Sequence, residues 1–320
     1  MINSIPAPRI TVLLISYNHA KYVAKSLESI LRQRVDEAFN IVVADDGSSD
    51  ETLKIISDIA LNHPHISFTY LDHSLNLGIT RNYQRAFKAC QGEYVAIMEG
   101  DDYWISPLKL AAQRDFLDAH WECDLCSVNY LVYEEERYQF SPRVPPASGH
   151  ILVGARDLIA DNLVGNFSTC MYRRSALNSL PEEVFEIRSY DWAINICIGR
   201  NGLIGFLKEP MSVYRIHGAG TWSLLTQSEK LQVQLELIPA YDKLTGKTFH
   251  AEFSQLADRL RQAISGNQIA QLVAPIAAPE SFSLSRVSNL MPPLLISFIK
   301  LIVPPTILRF AIRLLFRGQA

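Results

Sequence analysis

Glu93-Tyr94-Val95-Ala96-Ile97-Met98 runs directly into Glu99-Gly100-Asp101-Asp102-Tyr103-Trp104. A short apolar run reads as a buried strand, and here its carboxyl end is acidic. Ile41-Val42-Val43-Ala44 behaves the same way, ending in Asp45-Asp46-Gly47-Ser48-Ser49-Asp50. Acids at the carboxyl ends of parallel strands sit where open α/β sheets bind ligands. Carboxylates gathered there repel one another unless a cation, or a group that needs acceptors, lies between them. A nucleoside diphosphate held through a divalent metal meets both needs.

Outward from these two runs, strand and helix patterns alternate through the first 120 residues. Arg9–Ser16 is apolar almost throughout, as a parallel strand covered on both faces must be. Lys21–Gln33 is predicted helical, with Val23, Leu27, Ile30 and Leu31 at helical spacing. Ser48 and Glu51 have the spacing of a capping box opening a helix to Leu61. Ile66–Leu71 is a third strand and Thr80–Cys90 a helix. Ser106-Pro107 opens the next helix, proline standing where no amide donor is needed. This is the rhythm of a doubly wound α/β sheet.

Beyond Trp121 the rhythm loosens. Strands are expected at Asp124–Tyr133, Phe167–Arg173, Ile204–Leu207 and Ser212–His217. A surface loop is expected over Glu134–His150, a helix over Tyr190–Arg200, and further helices to Ile264. The division that follows is a sheet domain over 1–225, a helical extension over 226–273 and an apolar, basic tail over 274–320.

In the tail, Pro292-Pro293, Pro304-Pro305 and scattered basic residues break the apolar stretch. No uncharged run reaches the roughly 18 residues of a spanning helix. Arg309, Arg313 and Arg317 recur every four residues among Ile, Leu and Phe. That pattern over 290–317 fits a basic amphipathic helix lying in a membrane interface; packing on a protein surface is the alternative.

The net charge of −3 provides no general basic footprint, so nucleic acid is not the expected partner. Cys123 and Cys126 have CxxC spacing, but no second pair completes a zinc site. Five cysteines, an odd count without a signal peptide, point to a reducing, cytosolic compartment.

The candidate site residues each have a plain structural alternative. Asp45 and Asp46 suit a turn, yet a carboxylate there can also accept a hydrogen bond from a base. Asp101 and Asp102 follow a glycine that allows close ligand approach; hard cations often take one or two carboxylates plus substrate phosphates. Asp191 opens a predicted helix, where the dipole alone favours an acid. Asn76, Gly78 and Arg81 form a turn and helix start that also suits a phosphate or base contact. Arg215 and His217 end a strand that runs into a Gly-rich turn.

In this order the segments resemble glycosyltransferase family 2, with its GT-A fold. The resemblance covers Arg9 to Ser223. It rests on Ser16-Tyr17-Asn18, Ser26–Gln33 (SLESILRQ), VVADDGSSDET, NLGITRN, GEYVAIMEGDDYWISPLKL, Asp191-Trp192 and YRIHGAGTWS. It implies that Asp46, supported by Asp45, holds the nucleotide base beside Ser16, Tyr17 and Asn18. It implies that Asp101 touches the ribose and Asp102 a divalent metal, Mn²⁺ or Mg²⁺. Glu99 stands where many members carry aspartate. Asp191 matches the catalytic base, and His217 a position facing the metal and diphosphate. Processive members carry Gln-x-x-Arg-Trp and multiple spanning helices; this chain shows neither. The implied activity is inverting transfer of one sugar from a nucleotide-diphosphate donor, UDP-linked first, to a glycan or lipid-linked acceptor. Cell-surface polysaccharide synthesis at the inner face of the cytoplasmic membrane would suit it. Two rivals are a nucleotidyltransferase and a non-catalytic nucleotide-sugar-binding or scaffold module. The first would carry a Gly-rich basic loop where Ser-Tyr-Asn-His-Ala stands; intact Asp46, Asp101, Asp102 and Asp191 speak against the second.

Overall fold

The computed structural model describes residues 8–187, 191–218, 220, 222 and 225–266. The tail expected over 274–320 lies outside them.

Strands β1 (Ile10–Ser16), β2 (Phe39–Asp45), β3 (Ser67–Tyr70) and β4 (Tyr94–Glu99) pair in parallel in the order β3-β2-β1-β4. Every residue of β1 is buried, because helices cover both faces of the sheet. Helices α1 (Val23–Leu31), α2 (Thr52–Leu61) and α3 (Ile79–Ala89) connect these strands. Leu27 and Ile30 of α1 pack with Val12, Leu14 and Met98 in the core.

The chain continues through β5 (Tyr103–Trp104), α4 (Lys109–Ala119), β6 (Cys123–Glu134), β7 (Gln139–Pro142), β8 (His150–Val153) and α5 (Ala155–Ala160). Strand β9 (Met171–Arg173), α6 (Arg174–Asn178), α7 (Asp191–Gly199) and β10 (Leu203–Ile216) complete the sheet region. Strand β9 lies between β4 and β6, antiparallel to both, while β6 and β10 run parallel. The sheet is therefore mixed, with its long parallel half carrying both acidic strand ends. Helices α8 (Gln227–Leu244) and α9 (His250–Ser265) pack on one another, and α9 also contacts α5.

Five local expectations need correction. Ser48 and Glu51 do not form a capping box: the Ser48 hydroxyl donates to Asp45 and accepts from the Asn18 amide, and α2 begins only at Thr52. Helix α4 starts at Lys109 rather than at Ser106-Pro107, whose carbonyls are taken by the Gln33 side chain and the Arg34 amide. Phe167–Thr169 is a 3-10 turn, so β9 is only three residues long. The stretch 134–150 contains β7, folded back on the end of β6; its residues are exposed and show no buried alternation. The two closing strands are one, β10. Register shifts flank Pro210, and bulges there let a strand pass a residue with no amide to donate.

All five cysteines are buried and unpaired. Among the described residues, no helix is long and apolar enough to cross a membrane.

Candidate active site

The end of β2 is built around Asp45. Its carboxylate accepts from the hydroxyls of Ser16 and Ser48 at 2.7 and 2.6 Å and from the Ser48 amide at 2.7 Å. Asp45 thus locks the ends of β1 and β2 together. Asp46 points elsewhere: its Oδ1 accepts from the Leu77 amide at 2.8 Å. Burial raises its pKa. That bond brings the turn holding Asn76 and Gly78 against the strand end. A Cβ on Gly47 would lie 3.1 Å from the Asn76 amide nitrogen, so the close approach of the two loops depends on glycine. Asn18, with φ of 54°, accepts from the Ser49 amide and so pins the chain after β1 to the same loop. Tyr17 is 48% exposed at this edge.

One polar stripe on α1 positions the second acidic loop. Ser26 and Ser29 share a face of the helix at helical spacing, and Gln33 follows just past its end. The Ser26 hydroxyl sits against the carbonyls of Gly100 and Asp102. Ser29 Oγ accepts from the Trp104 amide, and Gln33 bonds to Ser106 and Leu110. The loop from 100 to 110 is therefore stitched to one helix.

Asp101 and Asp102 then part company. Asp101 Oδ2 lies 3.1 Å from His217 Nε2 and 3.7 Å from His19 Nε2, and its side chain is 22% exposed. Burial works to raise its pKa, but the two histidines outweigh it and hold the carboxyl below the usual range. Asp102 is 1% exposed. Its Oδ1 accepts from the Arg215 amide at 2.8 Å, and its Oδ2 is buried with no hydrogen-bond partner among the described residues. Burial, followed by the charge of Asp101, pushes its carboxyl well up. The Arg215 side chain bonds to the Asp101 carbonyl at 2.8 Å while its guanidinium lies over Tyr22 and Tyr103. Arg215 thus braces the acidic loop from behind.

Glu99 receives a hydrogen bond from the Tyr83 hydroxyl at 3.0 Å. Burial, then the charges of Asp101, Asp102 and Asp191, drive its carboxyl well up. Asp191 is accordingly a neighbour of this cluster. It starts α7, is partly buried, and accepts from Asn162 Nδ2 at 3.4 Å. Burial pushes its carboxyl up to about 7, the range of a general base working near neutrality.

The expected residues thus form two groups. Ser16, Asn18, Asp45, Asp46, Asn76 and Gly78 meet at the β1 and β2 ends. Asp101, Asp102, Asp191 and His217 meet around the end of β4. Arg81 joins neither group through its charge, because its guanidinium pairs with Glu186 at 2.7 Å. Arg85, one turn on, reaches the carbonyls of Asp45 and Asp72 instead. His19 and Arg85 touch these two groups, although motif reading did not single them out. Their signals were a histidine just after the first strand and a second arginine four residues beyond Arg81.

A divalent cation can be tested against these donors. Among the described residues, no cluster of three side chains gathers to hold a metal. Asp101 with His217 fits an ion that takes most of its oxygens from a bound diphosphate, the usual habit of magnesium-like cations.

Residues 11–180 match the family described as Glycosyl transferase family 2. An uncharacterized protein of Mycobacterium tuberculosis is 33% identical over 212 residues, which cover 66% of this chain and 60% of that protein. The chain thus matches about three fifths of the length of such curated relatives. Among solved structures, S. aureus TarS in complex with UDP superposes with a TM-score of 0.55 at 21% identity, covering 82% of this chain and 74% of that one. The Pyrobaculum calidifontis mannosyltransferase PcManGT in complex with GDP-Man and Mn²⁺ does so at 0.52 and 17%, covering 84% and 79%. At these identities the structural likeness speaks for the fold.

Proposed function

The chain belongs to glycosyl transferase family 2, and from that premise we propose that it moves one sugar from a nucleotide-diphosphate donor to an acceptor hydroxyl, with inversion at the anomeric carbon. One observation carries this reading above the others. A partly exposed carboxylate, Asp101, is paired with a histidine at the end of β4, beside an acid, Asp191, whose pKa is raised to about 7.

In the proposed reaction Asp46 accepts from the base of the donor, and Tyr17 flanks it. Asp101 and His217 are the residues that would hold a divalent cation, Mn²⁺ or Mg²⁺. Such a cation, when bound, neutralises the departing diphosphate. The sequence alone favoured Asp102 for that role. We place it first on Asp101, which the sequence reading also offered, because Asp102 is 1% exposed and its Oδ1 accepts from the Arg215 amide; the unpartnered Asp102 Oδ2 is the second oxygen on offer. Asp191 takes the proton from the acceptor hydroxyl as its oxygen attacks the anomeric carbon and the bond to the diphosphate breaks.

The donor is read as a UDP-sugar first, and the acceptor as a glycan or lipid-linked sugar of cell-surface polysaccharide synthesis. The basic, apolar tail supports peripheral contact through 290–317 with anionic lipid on the inner face of the cytoplasmic membrane. Deleting Met291–Ala320 should then abolish co-sedimentation with anionic vesicles; sedimentation of the shortened chain would refute that contact.

The test of the donor site is thermal stabilisation by UDP, dTDP, GDP and CMP, each with and without Mn²⁺. Metal-dependent stabilisation by one nucleoside diphosphate is expected. Equal, metal-independent responses to all four would count against the reading.

A further inference from the structure

A cavity of about 230 Å³ is lined by Tyr214, Ile216, Trp222, Gln227, Lys230 and Gln234. Tyr214 and Ile216 alternate along β10 with Arg215, so they look out from the opposite face of the strand. The Tyr214 phenol still feels the charges of Asp102, Glu99, Asp101 and Asp191, which add to its burial in raising its pKa. Tyr214 and Ile216 flank Arg215, whose amide bonds Asp102 Oδ1, and the Tyr214 ring meets Tyr130 edge-on, so the cavity is lined by the strand residues on either side of the one that holds the acidic loop.

Its chemistry is specific. Gln227, Lys230 and Gln234 lie on one face of α8. Trp222 and Tyr214 present aromatic surface that suits the apolar face of a sugar ring, and each glutamine amide both donates and accepts. Lys230 is the outlier. It is half-buried, and burial lowers its pKa with no acidic group acting in the other direction. A desolvated ammonium without a counter-charge is unfavourable until an anion arrives.

We propose that this cavity is the acceptor subsite, and that Lys230 selects an acceptor sugar bearing an anionic substituent, a carboxylate or a phosphate. This rests on the transferase reading above. It goes further by naming the acceptor's chemical class and the residue that recognises it.

The experiment is saturation-transfer NMR on the full chain with the donor site filled by UDP and Mg²⁺. The probes are methyl β-glucuronide for a carboxylate, glucose 1-phosphate for a phosphate, and neutral methyl β-glucoside. One anionic probe should bind at least about fivefold more tightly than the neutral one. Lys230→Gln should erase that preference and Lys230→Arg should keep much of it, with UDP binding unchanged in both. Trp222→Leu should weaken all three probes. No anionic preference, or one that survives Lys230→Gln, overturns the proposal while UDP binding stands. Failure of the wild-type chain to bind any of UDP, dTDP or GDP would sink the donor-site reading, and the acceptor subsite with it.

Discussion

Asp101 Oδ2 and His217 Nε2 lie 3.1 Å apart although 116 residues separate them in the chain. The contact exists because β5 and β6 both pair with β10, which carries the β10 end back to the loop after β4. Asp102 is adjacent in sequence but faces the Arg215 amide. The two acids should therefore respond differently. Asp101→Asn is expected to weaken UDP binding in Mn²⁺ by about tenfold or more and to leave metal-free binding nearly unchanged. Asp102→Asn keeps an acceptor for Arg215 and should retain most metal-dependent affinity. Titration calorimetry with and without metal decides it; the reverse ranking would return the metal to Asp102.

Asp191 should separate chemistry from binding. Asp191→Asn is expected to lose about 10²- to 10⁴-fold in turnover, the usual share of a general base. UDP binding should stay within about twofold of wild type. Wild-type turnover in this variant would remove Asp191 from the reaction.

The same group sets a pH dependence. A base with its carboxyl near 7 must lose its proton before it can act. Turnover should fall about tenfold per unit below that value and level off above it. Stability runs the other way. An acid whose folded pKa is raised contributes stability below its unfolded value near 4, and that contribution is lost as pH rises through about 7. Asp191→Asn has no charge to bury, so at pH 8 it should be more stable than wild type by about 2 kcal/mol. Urea unfolding at pH 5 and pH 8 checks the sign. A gap that is larger at pH 5 would refute it.

The parallel half of the sheet was legible because β1, β2 and β4 are apolar throughout and end in acids. The roles of individual acids were less legible. Asp45 and Asp46 look equivalent in sequence, yet Ser16 and Ser48 claim one and leave the other to the Leu77 turn. Those partners come from a neighbouring strand and from loops, which no local pattern reports. The same holds for Arg81, drawn away by Glu186, and for Arg85, whose carbonyl partners lie on β2 and on the chain after β3. The strands expected at Ile204–Leu207 and Ser212–His217 are one for a different reason: bulges flanking Pro210 carry β10 past it, and local pattern does not report them.

Gly100 sets how closely the acidic loop approaches β1. A Cβ there would lie 2.8 Å from His19 Nδ1 and 3.2 Å from the Ile15 carbonyl oxygen. The histidine ring can shift, but the strand carbonyl cannot follow easily. Gly100→Ala should cost about 1–3 kcal/mol in stability and weaken metal-dependent UDP binding by moving Asp101 relative to His19. A variant with wild-type melting temperature and affinity would show that the loop has slack.

Ser26 tests whether the polar stripe of α1 matters to the site or only to the helix. Its hydroxyl lies under the carbonyls of Gly100 and Asp102, in a position fully shielded from water. Ser26→Ala improves intrinsic helix propensity by a few tenths of a kcal/mol. It also leaves buried carbonyls without their donor, which costs about 1–3 kcal/mol. The second effect is larger, so net destabilisation is expected despite the better helix former. The carbonyls belong to the acidic loop, so metal-dependent UDP affinity should fall along with the unfolding midpoint. Arg32→Ala, on the exposed side of the last turn, removes only a surface pair with Glu28 and should change neither. If Ser26→Ala lowered stability and left UDP affinity intact, α1 would be supporting the fold without positioning Asp101.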